Sequence, residues 1–216
     1  MKTGRSVGVH YQGDLRQEMI IAAAAATAEV GAEHLSLRDV ARRVGVSHAA
    51  PAHHFGDKAG MLTAVAIQGF ELFAGYLSAA VDPAGSPLDA LHANGRAYLE
   101  FSDLYPGHFE IMFRPALINT DDPAYKSAGD KAFQLLGDLI AACQRQGWQP
   151  GADTTALTVS TWALFHGLAL LRRQGSLAAH LPETSPEATI EAARTLTGLT
   201  PASPSSAVPP DDLAAR

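Results

Sequence analysis

The sequence predicts an all-α protein: a small three-helix unit followed by a larger helical one. Three observations carry this reading. No run alternates β-branched or aromatic residues with polar ones between turn signals, so strand signals are nearly absent. Ala, Leu, Gln, Arg and Glu instead fill long segments. Asp and Ser caps, and Gly and Pro breaks, recur at helix-length intervals. The chain has 216 residues, 47% hydrophobic and 18% charged, enough to bury a real core. That length exceeds the common domain size of about 100–150 residues, so two domains are expected.

The first helix is announced by Asp14 with Gln17 three residues on, and should run from Leu15 to about Val30, where Gly31 supplies a left-handed stop. Ser36 and Asp39 open a short second helix that ends at Val44 before Gly45. Ser47 is then placed to cap a third. Asp57 caps a long fourth helix from Lys58 to about Ala80. Ser86, Pro87 and Asp89 fall at the cap, first and third positions of a fifth, reaching about Leu104. Pro106 and Pro115 bracket a short aromatic helix holding Phe109, Met112 and Phe113. Long helices follow over about Pro123–Gln146 and Asp153–Gln174, and a last one over Pro186–Leu199. From Pro201 the segment PASPSSAVPPDDLAAR has too little large apolar surface to order itself and reads as a flexible tail. Residues 1–13 read as a flexible arm, 14–57 and 58–200 as the two domains, and 201–216 as the tail.

The charge distribution is uneven. The net charge is −6, yet residues 1–60 hold seven Lys/Arg against six Asp/Glu, and five of the nine histidines; the rest holds nine against sixteen. The acidity therefore belongs to the C-terminal part. One cysteine, Cys143, excludes an internal disulfide framework or a zinc site built on several thiolates. No stretch of consecutive apolar residues reaches the ~18 that would span a bilayer. The first residues, MKTGRSVGVHYQGD, lack the apolar run of a secretory signal. A cytoplasmic protein with no membrane contact is expected. No HExxH, Glu-x-x-His pair, GxSxG or phosphate-cradling glycine loop occurs, so no catalytic residue, metal ligand or cofactor is assigned.

The informative stretch is Leu35 to Phe70. Two short helices separated by Val44, Gly45 and Val46 have the spacing of a helix-turn-helix, with Ala41 small enough for a close crossing, although a plain αα-hairpin has the same geometry. Leu37, Val40, Ala41, Gly45, Val46, Ser47, His54, Phe55, Lys58 and Leu62 together resemble the DNA-binding domain of tetracycline-repressor-like (TetR) transcriptional regulators. Further on, Trp162, His166 and Gly167, in WALFHGL, are similar to the Trp-His-Gly signature of one C-terminal subgroup, and HFEIMFRP resembles its aromatic helix. The resemblance implies an N-terminal three-helix DNA-binding domain, a larger ligand-binding and dimerising domain, and a homodimer on a pseudo-palindromic double-stranded operator.

On that reading the third helix enters the major groove, presenting Ser47, His48, Ala49, Ala50 and His53 to base edges. The short side chains at 49 and 50 suit close approach but carry few hydrogen bonds, so shape and water should contribute strongly. Lys58, at the start of the fourth helix, matches the family's phosphate-binding lysine. Ser36, Arg38 and Ser47 lie at helix starts with the same opportunity, and Arg42 and Arg43 read as solvated or salt-bridged. Lys2 and Arg5 are candidates for the minor groove. Departures from the pattern are Ala52 where the family usually has tyrosine, Pro51 inside the recognition helix, and His48 in place of a more usual lysine. Imidazoles titrate near neutrality, so His48, His53 and His54 should raise DNA affinity as pH falls from about 8 to about 6. A metal site there competes poorly, because Asp57 is wanted as a cap; His54 suits packing between the third and fourth helices.

In the larger part, Phe73, Tyr98, Phe101, Tyr105, Phe109, Met112, Phe113, Trp162 and His166 read as the ligand pocket, although any one aromatic at helical spacing is in the first instance core. Trp162 and His166 share a helix face. The two long helices, with Ala141, Ala142, Ala163, Gly167 and Ala169, are the dimer candidates by resemblance. The reading is a ligand-responsive regulator, a repressor released by an apolar or aromatic small molecule of unknown identity. The alternative is a helical ligand-binding module that has lost DNA binding.

Overall fold

The computed structural model describes residues 12–82 and 85–197, so the proposed tail and most of the N-terminal arm lie outside the described residues. Among the described residues nine α-helices follow one another and no strand occurs: α1 Gln12–Val30, α2 Leu37–Val44, α3 Ala50–Phe55, α4 Lys58–Ala79, α5 Pro87–Leu104, α6 Pro106–Met112, α7 Pro123–Arg145, α8 Thr154–Arg173 and α9 Pro186–Thr197. The capping logic holds at most starts. Ser36, Asp57, Ser86 and Asp153 each accept a backbone N–H from the first turn of α2, α4, α5 and α8. Gly45 closes α2 with φ 76° and its N–H on carbonyls of the last turn, a conformation that favours glycine.

Two starts differ from expectation. Helix α1 begins at Gln12, so Asp14 lies inside its first turn instead of ahead of it. Helix α3 begins at Ala50, not after Ser47, and has no side-chain cap; only the Ser47 carbonyl takes part, accepting the Ala50 N–H at 3.0 Å. Pro51 brings no N–H and is buried against the neighbouring helices, which fits the first turn of a late-starting helix. A 3-10 turn at Pro115–Leu117 and another at Ser176–Ala179 complete the connections.

Two hydrophobic cores share one long helix. Met19, Ile20, Ala23, Leu35, Val40, Met61, Leu62 and Val65 form the first, under α1, α2 and the front of α4. Phe70, Phe73 and Leu77, from the back of α4, join Leu91, Phe101, Leu136, Ile140 and Phe165 in the second. The 22 residues of α4 thus run from one core into the other. Helices α4 and α8 are long and apolar enough to cross a bilayer, but 56% of α4's most apolar window is buried in this fold.

Helix α6 is wedged between the cores, and two glycines set how closely it lies. A Cβ on Gly107 would stand 1.9 Å from the Ala24 carbonyl oxygen of α1, and one on Gly69 of α4 would stand 2.7 Å from Met112 Sδ. Ile111 is buried in the first core, while Phe109 and Met112 are buried in the second. Glu110 accepts the Ala32 N–H at 3.0 Å, tying α6 to the turn after α1.

Candidate DNA-binding face and internal cavity

The first candidate site is the outer face of α2–α3. Ser47, His48, Ala49, Ala52 and His53 are exposed, Ala50 and His54 are half-buried, and Pro51 points inward. His53 and His54 meet edge-on at 5.6 Å, and His54 leans on Phe55, whose ring carries the Arg16 guanidinium at 5.1 Å. His54 is thus half-buried, with ring contacts to its own helix, while His48 and His53 are exposed. Among the described residues no cluster of three His, Cys, Asp or Glu side chains could hold a metal.

The basic groups around this face divide into engaged and free. Arg42 pairs with Asp39 at 2.7 Å, and Arg43 forks onto Glu29 at 2.9 and 2.6 Å. The Ser36 hydroxyl donates to Asp39 at 2.6 Å and, with the Arg42 guanidinium, holds that carboxyl below the usual carboxylate range. Ser36 is therefore occupied as a cap. Arg38 is exposed and has no partner among the described residues. Lys58 donates from Nζ to the Glu33 carbonyl at 2.6 Å, pinning the start of α4 to the α1–α2 turn and leaving two ammonium hydrogens unassigned. Gly60 explains the tight approach of α3 and α4: a Cβ there would stand 2.1 Å from the Phe55 carbonyl oxygen.

The second candidate site is a cavity of about 560 Å³ in the C-terminal core, within the size range of small-molecule sites. Of the residues the sequence analysis assigns to a ligand pocket, Phe73, Tyr98, Met112, Phe113, Trp162 and His166 line it. Phe101, Tyr105 and Phe109 do not. The aromatic stripe of α5 runs on beyond the cavity, where Phe101 stacks on Tyr105 at 4.8 Å and packs on Phe73 at 5.0 Å. Phe109 lies behind the wall, stacked on His166 at 5.5 Å. The lining also includes Phe70, Leu77, Asn94, Tyr125, Asp130, Phe133 and Leu136. Of these, Phe70 and Phe133 carry a sequence signal in their aromatic character, whereas Asn94 and Asp130 carry none.

One polar relay crosses the wall. Trp162 Nε1 donates to Tyr98 Oη at 3.2 Å, and that hydroxyl meets His166 Nδ1 at 2.9 Å. Burial lowers the His166 pKa and raises that of Tyr98, so both are held uncharged. Outside the cavity lining, His108 Nε2 and Gln68 Oε1 are 2.9 Å apart, and burial pushes the His108 pKa down to about 4. Burial pushes the Cys143 thiol up to about 11, so it stands protonated at neutral pH.

A helix-turn-helix joined through α4 and α6 to a cavity-bearing helical domain agrees with the sequence comparisons. The model of the tetR family of bacterial regulatory proteins matches residues 20–65, and that of the tetracyclin repressor-like C-terminal domain matches residues 91–196. The chain belongs to the TetR family of transcriptional regulators. Among solved structures, this TetR-family chain is similar to a protein of unknown function from Rhodococcus sp. RHA1. The two are 27% identical with a TM-score of 0.75, over 90% of this chain and 98% of that one. It shares its fold with a putative transcriptional regulator from Saccharomonospora viridis in complex with choline, at 19% identity and TM-score 0.68, over 86% and 96% of the two chains. It also shares its fold with AibR in complex with isovaleryl coenzyme A and operator DNA, at 17% identity and TM-score 0.60, over 72% and 86%. No curated protein matches the sequence.

Proposed function

We propose that this regulator is a homodimeric cytoplasmic repressor of the Trp-His-Gly subgroup, which holds a pseudo-palindromic operator through α3 and releases it when a small apolar molecule fills the cavity. The two-sided packing of α6 carries the reading. Met112 and Phe113 line the cavity, while Ile111, on the same short helix, is buried in the core that supports α3. A ligand that displaces Met112 therefore pushes on a helix whose other side rests, at Gly107, on α1. Packed interfaces of this kind shift between discrete arrangements instead of deforming smoothly, so occupancy favours one spacing of the recognition helices over another.

On the DNA, exposed Ser47, His48, Ala49 and His53 face base edges, and Arg38 and Lys58 face phosphates. With Arg42 and Arg43 already paired, few fixed positive charges contribute, so affinity rests on a short set of contacts plus groove shape. For the dimer, Phe133, Val159, Trp162, Leu170 and Leu171 form exposed apolar surface on α7 and α8, and open space flanks Gly167. Ala169 is buried in the second core and plays no part in that face. The relatives crystallised with choline, or with isovaleryl coenzyme A and operator DNA, support the pairing of a ligand cavity with DNA binding in this fold.

The test is selection of bound duplexes from a random DNA library by the purified protein, with the selected sequences titrated at two salt concentrations. Enrichment of a palindrome with half-sites about one helical turn apart is expected. Its absence with a folded protein, at both pH 6 and pH 8, moves the reading to a ligand-binding module that does not read DNA.

A further inference from the structure

The cavity's polar groups narrow what it accepts, granted the effector-cavity reading above. The only charged side chain in the lining is Asp130, and it is exposed at the rim; no Lys or Arg lines the cavity among the described residues. An anion would have to shed its water with no cation to meet it, beside a carboxylate already there. A cation could approach Asp130, but would remain hydrated at the rim and leave the deeper polar groups unused.

Those deeper groups are Asn94 and His166. Asn94 is 4% exposed, lines the cavity, and its carboxamide has no hydrogen-bond partner among the described residues. Buried carboxamides are nearly always paired, so an empty one facing a cavity marks a contact awaiting its partner. One turn along α5 stands Tyr98. Its oxygen accepts the Trp162 N–H, and its hydroxyl proton has His166 Nδ1 as the acceptor within reach. That arrangement leaves the imidazole proton on Nε2, which has no partner among the described residues and, unlike Nε2 of His92, is not among the fully enclosed unpaired atoms. Two neutral N–H donors, one on α5 and one on α8, thus stand in a wall otherwise made mainly of aromatic and aliphatic surface.

We infer that the effector is an uncharged, largely apolar molecule carrying a carbonyl or hydroxyl oxygen, and that Asn94 binds this oxygen inside the cavity and selects for it. Asn94 contributes selectivity more than bulk affinity, because a ligand without the oxygen leaves the carboxamide unpaired while still burying its apolar body.

The experiment is calorimetric titration of the full chain at pH 7.5 with four matched probes: 2-acetylnaphthalene, 2-ethylnaphthalene, 2-naphthoate and 2-naphthylmethylammonium. The ketone should bind about tenfold more tightly than the hydrocarbon, with both ions weaker than either. Asn94→Leu should erase the ketone's advantage while keeping the hydrocarbon's binding; Asn94→Ala, which adds no bulk, should do the same if the leucine disturbs folding. Equal binding of ketone and hydrocarbon by the unaltered protein overturns the inference and leaves the cavity reading standing. So does a ketone preference that survives in a folded Asn94 variant, or an ion that binds most tightly. Binding of none of the four overturns the inference and the effector-cavity reading together.

Discussion

The two candidate sites differ in how their chemistry is held. The α2–α3 face is built from exposed side chains on short helices, two of its cations, Arg42 and Arg43, are already spent on Asp39 and Glu29, and Gly60 sets the tight crossing of α3 and α4. The cavity differs: apart from exposed Pro115, Asp130, Phe133 and Trp162 at its mouth, its side chains are buried or half-buried, mostly uncharged, and fixed by each other through ring contacts and the Trp162–Tyr98–His166 relay. A solvent-facing site can lose one contact and keep its shape, whereas a closely packed wall transmits a change in volume to its neighbours. That contrast suits a sensor whose input is packing and whose output is a set of separable surface contacts.

The contrast can be broken first at its joint. Gly107→Ala places a methyl group against the Ala24 carbonyl and should destabilise the protein by about 3 kcal/mol, since backbone on both sides leaves little room to relax. Urea denaturation measures this; an unchanged midpoint would mean that α6 is not wedged as described.

The buried histidines of the C-terminal core should also make stability respond to acid. His108 has a folded pKa of about 4, below the ordinary 6.5, so the unfolded chain takes up its proton first. Its contribution is therefore fully present above pH 6.5 and is lost as pH falls towards 4, and His166, lowered in the same direction, adds to it. Over that window the unaltered protein should lose about 2 kcal/mol more stability than His108→Gln, after allowance for partial exposure. Parallel stability–pH curves for the two would contradict the burial argument.

On the exposed face, Lys58→Ala should weaken binding to all duplexes by about tenfold and lower the salt slope by about 1, the signature of a lost phosphate contact. If affinity and slope are both unchanged, Lys58 serves only to pin the α1–α2 turn through Glu33. The smallest effect belongs to Arg42→Ala, an exposed pair one turn from its partner, which should shift stability by less than about 0.5 kcal/mol in the same urea assay.

What could be read from sequence follows the range of the forces involved. Caps at Ser36, Asp57, Ser86 and Asp153 are local, involving a side chain and an N–H three residues on, and they fall where the sequence places them. The start of α3 does not, because burial of Pro51 is a tertiary event that overrides the cap signal at Ser47. In the cavity, periodicity identifies Tyr98, Phe101 and Tyr105 as one stripe, but it does not say where along α5 the empty space ends. Asn94 leaves no trace in the sequence, since a lone asparagine within a helix belongs to no pattern until its surroundings are known. The double role of α6 is equally silent, because Ile111 and Met112 are adjacent hydrophobic residues whose assignment to different cores depends on what lies on each side.

The most direct test of the central claim, that the cavity and the DNA face are coupled through α6, is the affinity of the protein for its selected duplex with the cavity empty and with it saturated by 2-acetylnaphthalene. Saturation, established by calorimetry, should reduce operator affinity by at least about tenfold, a coupling of about 1.4 kcal/mol, and the duplex should weaken ketone binding by the same factor. Identical operator affinity with and without the bound ketone would contradict the account.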